Sequence, residues 1–322
     1  MSGVEIGVTA PARLHLGILD LKGDLGRIYG SIGLAVKEPE TIVKASLSNT
    51  FSVSGVNIER AREFTLKILK KLNLDTNIKV EVIKCAPTHV GLGSGTQLAL
   101  SIGCALCKLF NLKISVEEIA KILGRGEVSG VGTYVFKYGG LVVDGGHKLD
   151  GSTEIPPLLF HYRVPDSWVF VIGIPNIERG FYGEEERRIM KMAVESYKQL
   201  PPTQTTRIVL MKLLPALIEE DIRSFGDAIT KLEVEVGKMF SSVQKGVFRS
   251  PIIEKGVKLL LDHGAYGAGQ SSWGPAFYGI FDEEEKAVNV GGILEEMLNK
   301  YVGGRVIVTK ANNTGAIIKS LS

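Results

Sequence analysis

Short β-type runs open the chain at Gly3–Thr9, Thr41–Leu47 and Ile78–Ile83, the last two alternating apolar with polar positions. A period of two predicts strands with one buried face. Between the latter two, Ile58–Leu72 carries the helical period. A loop, Cys85–Gly93, leads into a long helix from Ser94 to Phe110, where Leu98, Ile102, Ala105, Leu106 and Leu109 recur at helical spacing. Ser115 with Glu118 forms a capping box that starts another helix. Tyr138–Val143 reads as a strand turning at Asp144-Gly145-Gly146.

The proline-bearing stretch Pro156–Asp166 is the expected boundary, dividing the chain into domains 1–160 and 161–322. Beyond it the pattern gives a strand at Trp168–Ile174, a helix at Glu184–Tyr197 and two helical stretches from Thr205 to Lys238. A helix at Ile252–His263, a strand at Ala276–Phe281, a helix at Val288–Tyr301 and strands at Arg305–Thr309 and near Gly315–Ile318 follow. This alternation predicts an α+β architecture.

Composition narrows the functional classes. The 322 residues include 38 basic and 35 acidic side chains, a net charge of +3, which gives no basic surplus of the kind nucleic acid demands. No apolar run reaches the length of a membrane span, and the N-terminal residues lack a secretory pattern, so a cytoplasmic protein is expected. The three cysteines are Cys85, Cys104 and Cys107. The last two lie within an apolar helical pattern without the further ligands of a zinc site, and are expected to pack in the core.

Three glycine-rich segments carry the candidate chemistry. Residues Pro87–Gln97 join a strand to a long helix, and Gly91, Gly93 and Gly95 let the backbone approach a ligand. Free N–H groups and the positive end of the helix dipole there suit a phosphate. Neither a Walker A loop nor a dinucleotide fingerprint fits the spacing. Near the start, Ala10–Gly17 presents Arg13 and His15 after a proline expected to break the first strand. Near the end, Gly264–Pro275 is a second small-residue loop running into a strand.

These three segments, in this order, resemble the three motifs of the GHMP kinase superfamily. The resemblance implies the GHMP-kinase fold: an N-terminal domain like ribosomal protein S5 domain 2 and a ferredoxin-like C-terminal domain. It also implies that Gly91, Leu92, Gly93, Ser94, Gly95 and Thr96 cradle a polyphosphate, with Gly269 in the third segment completing the pocket. Two departures argue against phosphoryl transfer. Ser129-Gly130-Val131-Gly132-Thr133 carries threonine where the kinases carry a catalytic aspartate, and Gly95-Thr96-Gln97 replaces their serine and two alanines.

With Arg13–Asp20, Gly26–Gly30, Gly124-Arg125-Gly126, Asp144–His147 and Arg179-Gly180, those departures resemble the archaeal β-ribofuranosylaminobenzene 5′-phosphate synthase family of methanopterin biosynthesis. That resemblance implies a reaction joining phosphoribosyl pyrophosphate to 4-aminobenzoate with release of CO2 and pyrophosphate. It implies a Mg²⁺ ion, for which Ser94 and Thr96 offer hydroxyls, no pyridoxal phosphate, and a homodimer. Under this reading Asp20 offsets positive charge developing at the ribose C1. Arg27 and Arg13 take phosphate in bidentate fashion, and His89 is the active-site histidine. Arg179 either anchors a phosphate or pairs with Glu184–Glu186. An arginine held on the acceptor's carboxylate would oppose its loss, because that pairing stabilises the ground state; the ring is therefore expected against apolar residues.

Overall fold

The computed structural model describes residues 4–151, 154–181, 183–202, 204–244 and 246–321. In chain order its N-terminal half comprises β1 (Glu5–Asp20), β2 (Arg27–Leu47), β3 (Ser52–Gly55), α1 (Ile58–Leu72), β4 (Ile78–Lys84), α2 (Ser94–Leu109), α3 (Val116–Ile122), α4 (Val131–Tyr138), β5 (Leu141–Asp144), β6 (His147–Lys148) and β7 (Leu158–Tyr162). The remainder comprises β8 (Val169–Pro175), α5 (Gly183–Tyr197), α6 (Thr205–Ile208), a π-helical turn (Val209–Leu213), α7 (Leu214–Ile218), α8 (Ile222–Gln244), α9 (Pro251–Asp262), β9 (Gly267–Gln270), β10 (Phe277–Phe281), α10 (Glu284–Tyr301), β11 (Gly304–Lys310) and β12 (Ile317–Leu321).

Two sheets organise the molecule. The larger runs β12-β1-β2-β4-β3, with β5 and β6 also paired to β2 and β7 to β5; the smaller runs β11-β8-β10-β9. Helices α1, α2 and α3 cover the larger sheet through a core that includes Ile6, Val8, Phe64, Leu98 and Ile102. Cys104 and Cys107 lie in that core, as expected. Helices α9 and α10 cover the smaller sheet around Val257, Phe277 and Leu294. A third apolar cluster joins inward residues of β1 and β2 to β8, β10 and α8, so the two halves share a core.

Proline-rich residues 156–166, the expected boundary, contain β7, which pairs with β5 in the larger sheet, and β12 returns from the chain's end to pair with β1, Glu5 opposite Leu321. Gly3, the expected start of the first strand, lies outside the described residues. Pro11 does not end that strand. The ladder with β2 slips register between Ala10 and Ala12, and this bulge accommodates a residue without an N–H. Tyr138 proves to be the last residue of helix α4 rather than the first of a strand. Gly139 and Gly140, with φ of 70° and 63°, break the helix before β5. The capping box of Ser115 and Glu118 is present as expected.

Candidate active site

Helix α2 begins at Ser94, and Gly93 at its N-cap provides no side-chain cap. The Thr96 amide donates to the Gly93 carbonyl at 3.0 Å, and the first residues of the turn, Ser94 and Gly95, line a cavity of about 330 Å³. The three glycine-rich segments meet around it. The Arg13 amide donates to the carbonyl of Leu92 at 3.1 Å, and the Ala276 amide to Val90 at 2.9 Å. Ser271 binds both partners at once, its hydroxyl donating to the Gly91 carbonyl at 2.7 Å and accepting from the His15 amide at 2.9 Å. A Cβ at Gly91 would stand 2.1 Å from the Ser271 carbonyl oxygen, so glycine there serves segment packing as well as ligand approach.

Four arginines line the cavity: Arg13, Arg60, Arg125 and Arg187. Arg187 pairs with Glu127 at 3.1 Å. Arg13 is half-buried; desolvation lowers its guanidinium pKa to about 10 against the pull of nearby Glu186. Its Nη1 donates to the Gly91 carbonyl at 3.1 Å, but its Nε has no hydrogen-bond partner among the described residues, and neither does Nε of Arg125. Arg125 and Arg60 both lie over the ring of Phe64, at 5.2 and 5.7 Å from its centroid. Burial raises the Glu186 carboxyl pKa, while Arg13, a hydrogen bond with Trp273 and Arg125 oppose the rise.

His89 lies in the cavity wall, 3.4 Å from Arg60 Nη1 through its Nε2. Desolvation, then Arg60, Arg179 and Arg125, push its pKa down to about 4, which keeps the imidazole neutral. Arg179 itself is exposed and donates to the Thr88 hydroxyl at 2.6 Å, while the Gly180 amide donates to the His89 carbonyl at 2.8 Å. Arg179 thus ties the segment after β8 to the phosphate loop instead of pairing with the start of α5.

Of the residues expected from sequence, Arg13, His89, Gly91, Gly93, Ser94, Gly95 and Thr96 come together around this cavity. Leu92 is buried beneath it. Asp20, Arg27 and Gly269 do not line it, and each has a local task. Asp20 accepts from the Gly23 amide at 2.8 Å and so closes the turn after β1. Arg27 donates to the carbonyls of Gly145 and Gly146 at 2.6 and 2.7 Å, bracing the loop after Asp144. Asp144 in turn accepts from the Gly130 amide at 2.9 Å, next to the cavity wall at Ser129. Gly269 sits in β9, where a Cβ would fall 2.2 Å from Cγ of Glu233. Thr133 is buried in α4, its hydroxyl unpartnered, so no carboxylate stands at that position of the motif.

Sequence reasoning did not place Arg60, Arg125, Glu127, Glu186 or Trp273 at this cavity, which all five line. The Gly124-Arg125-Gly126 triplet was a usable signal, since glycines on both sides leave a guanidinium room to turn inward. The others sit on helices or loops whose composition alone reads as ordinary surface. Among the described residues no helix is long and apolar enough to cross a membrane, and no three His, Cys, Asp or Glu side chains are grouped to hold a metal.

Comparison with known proteins agrees with this geometry. Residues 58–140 match the family model for the GHMP kinases N terminal domain, and residues 213–300 that for GHMP kinases C terminal. The fold is shared with L. major mevalonate kinase (TM-score 0.67, 14% identity, covering 95% of this chain and 96% of that one). It is shared also with homoserine kinase from Cytophaga hutchinsonii (TM-score 0.62, 17% identity, covering 98% and 97%). Nearer in sequence is the β-ribofuranosylphenol 5′-phosphate synthase of Archaeoglobus fulgidus, 37% identical over 96% of this chain and 98% of the relative. That of Methanothermobacter thermautotrophicus is 34% identical over 98% and 99%. The chain belongs to the β-ribofuranosylphenol 5′-phosphate synthase family, pentosyltransferases of methanopterin biosynthesis built on the GHMP-kinase fold.

Proposed function

We propose that the cationic cavity binds phosphoribosyl pyrophosphate and that the enzyme joins its ribose C1 to a para-substituted benzoate, releasing pyrophosphate and CO2. One observation carries this reading. Two buried guanidinium Nε groups, of Arg13 and Arg125, lack partners beside an uncapped helix N-terminus. Unpaired buried donors are costly unless a ligand completes them, and a diphosphate supplies both the acceptors and the negative charge.

The leaving pyrophosphate lies against residues 91–96, where backbone N–H groups and arginines stabilise the charge it gains as the C1–O bond breaks. Glu186, held near Arg13, takes over the role expected of Asp20 by offsetting positive charge that builds on the ribose. His89, being neutral, binds through a ring nitrogen and does not add to the cationic field. A magnesium ion fits this site as a passenger on the pyrophosphate, since Mg²⁺ is usually held by one or two protein groups plus substrate phosphates. Ser94, Thr96, Glu127 and Glu186 provide oxygens for it, and the ion would neutralise leaving-group charge.

The relatives' name specifies a phenol where sequence resemblance pointed to an aminobenzene. Either substituent feeds electron density to the ring carbon opposite it, which bears the carboxylate, so 4-hydroxybenzoate is the first acceptor and 4-aminobenzoate its analogue. The nucleotide kinase alternative lacks its base at Thr133. Calorimetric titration with Mg²⁺ and pyrophosphate tests the donor site. Saturable binding that is weakened at least tenfold by Arg125→Gln is expected, and binding indifferent to Arg13 and Arg125 would refute it.

A further inference from the structure

A second, smaller cavity adjoins the first, and the two share four wall residues: His15, Ile18, Ser272 and Trp273. Its other walls are mainly apolar, with Leu16, Val236, Phe240 and Val247, and among the described residues no lysine or arginine lines it. Its roughly 50 Å³ takes about three to five water molecules at roughly 10–15 Å³ each, close to the bulk of one six-membered ring.

At its far side is a buried carboxyl group. Glu233, on α8, is 5% exposed and forms no ion pair among the described residues; its carboxyl accepts from the Gln270 backbone. Gly269 leaves the room it occupies, since a Cβ there would stand 2.8 Å from Oε1. The titratable groups facing it from packed elements are Tyr278 on β10, whose hydroxyl is unpartnered, and His15 on β1, across the cavity. Burial keeps both uncharged. A carboxyl buried without a cation is expensive to retain for structure alone.

We infer that this cavity seats the ring of the benzoate acceptor, with Glu233 at the ring's para hydroxyl. The inference rests on the function proposed above. Para substituents sit at opposite ends of a ring, so a hydroxyl at Glu233 directs the carboxylate-bearing carbon towards the shared wall and the ribose. A ring π pair forms the bond from that carbon to C1 as the C1–O bond breaks and pyrophosphate leaves with its pair. The phenolic proton passes to the Glu233 carboxylate, giving a dienone. The carbon–carboxylate bond then breaks, CO2 leaves, its electron pair restores the aromatic ring, and the proton returns from Glu233 to oxygen. Burial raises the Glu233 pKa to about 8, so about a tenth of the enzyme has it ionised at pH 7.

The test compares wild type, Glu233→Gln and Val236→Phe, which fills the cavity, by steady-state kinetics from pH 6 to 9, with melting curves confirming that each folds. For wild type with 4-hydroxybenzoate, kcat/KM is expected to climb towards a plateau above about pH 8. Glu233→Gln loses that climb, dropping at least tenfold with 4-hydroxybenzoate and less with 4-aminobenzoate, whose nitrogen donates without first losing a proton. Val236→Phe raises the KM for acceptor at least tenfold and leaves that for phosphoribosyl pyrophosphate within about twofold. Active wild type with both variants unchanged would overturn the acceptor site while the proposed function stands. Wild type inactive with either acceptor would remove the proposed function, and this inference with it.

Discussion

The guanidinium of Arg60 fills the space that a side chain at Gly95 would need. A Cβ on Gly95 would stand 2.5 Å from Arg60 Nη2 and 3.0 Å from Cζ. Helix α1 thereby delivers a positive charge over the first turn of α2, where the helix dipole is already positive. An anion bound between them would be held by both.

Gly95→Ala separates binding from stability. Alanine is the better helix former by about 1 kcal/mol, and the atoms it displaces are the free end of a long side chain. The melting temperature is therefore expected to hold or rise while the KM for phosphoribosyl pyrophosphate increases about tenfold. Gly91→Ala, by contrast, meets the Ser271 backbone at a φ of 92°, and should lower the melting temperature by several degrees. Thermal melts run beside substrate saturation curves distinguish the two.

Arg13→Gln and Arg125→Gln each remove a charged donor from the cavity. Hydrogen bonds to charged groups contribute about 1.5–3 kcal/mol, so the KM for phosphoribosyl pyrophosphate should rise roughly 10- to 100-fold in each variant. Arg13→Lys is expected to recover only part of this loss, because an ammonium cannot reproduce the guanidinium fork.

Arg27→Gln should act through the fold. It loses two hydrogen bonds to the Gly145 and Gly146 carbonyls and slackens the brace behind Asp144 and Gly130. A drop of several degrees in melting temperature is expected, together with a fall in kcat. An unchanged melting temperature with a large rise in the KM for phosphoribosyl pyrophosphate would place Arg27 on the substrate after all.

Glu233 also governs how stability varies with pH. Its folded pKa, about 8, is raised above the ordinary carboxylate range, so the folded protein retains a proton that the unfolded chain releases. The resulting stabilisation is complete below about pH 4.5 and is lost as pH rises through about 8. Glu233→Gln removes this dependence. Relative to wild type the variant should gain melting temperature between pH 5 and pH 8, as a series of melts would record.

Much of the fold was legible because its signals are local. The helix over 58–72, the capping box at Ser115 and the strand–glycine loop–helix unit at α2 depend on neighbours within a few residues. Pro11 misled because a bulge in a long antiparallel ladder is settled by the partner strand, which local sequence does not show. The site was half legible for the same reason. Glycine spacing marked residues 91–96, but Arg60 lies among Glu59, Arg62 and Glu63 on an amphipathic helix and reads as solvated. Glu233 lies between Leu232 and Val234 on α8, and only packing against Gly269 reveals that its carboxyl turns inward. Asp20 and Arg27 were expected at the site from the resemblance, in segments that also carry glycines. Those glycines serve tight turns, and the two side chains satisfy turn backbone.

The most direct measurement is release of labelled CO2 from carboxyl-labelled 4-hydroxybenzoate by the purified protein with Mg²⁺ and phosphoribosyl pyrophosphate. The account predicts release that requires both substrates, is matched mole for mole by pyrophosphate, and falls sharply in Arg125→Gln. No release from either 4-hydroxybenzoate or 4-aminobenzoate, with ATP consumed against small alcohols instead, would contradict it.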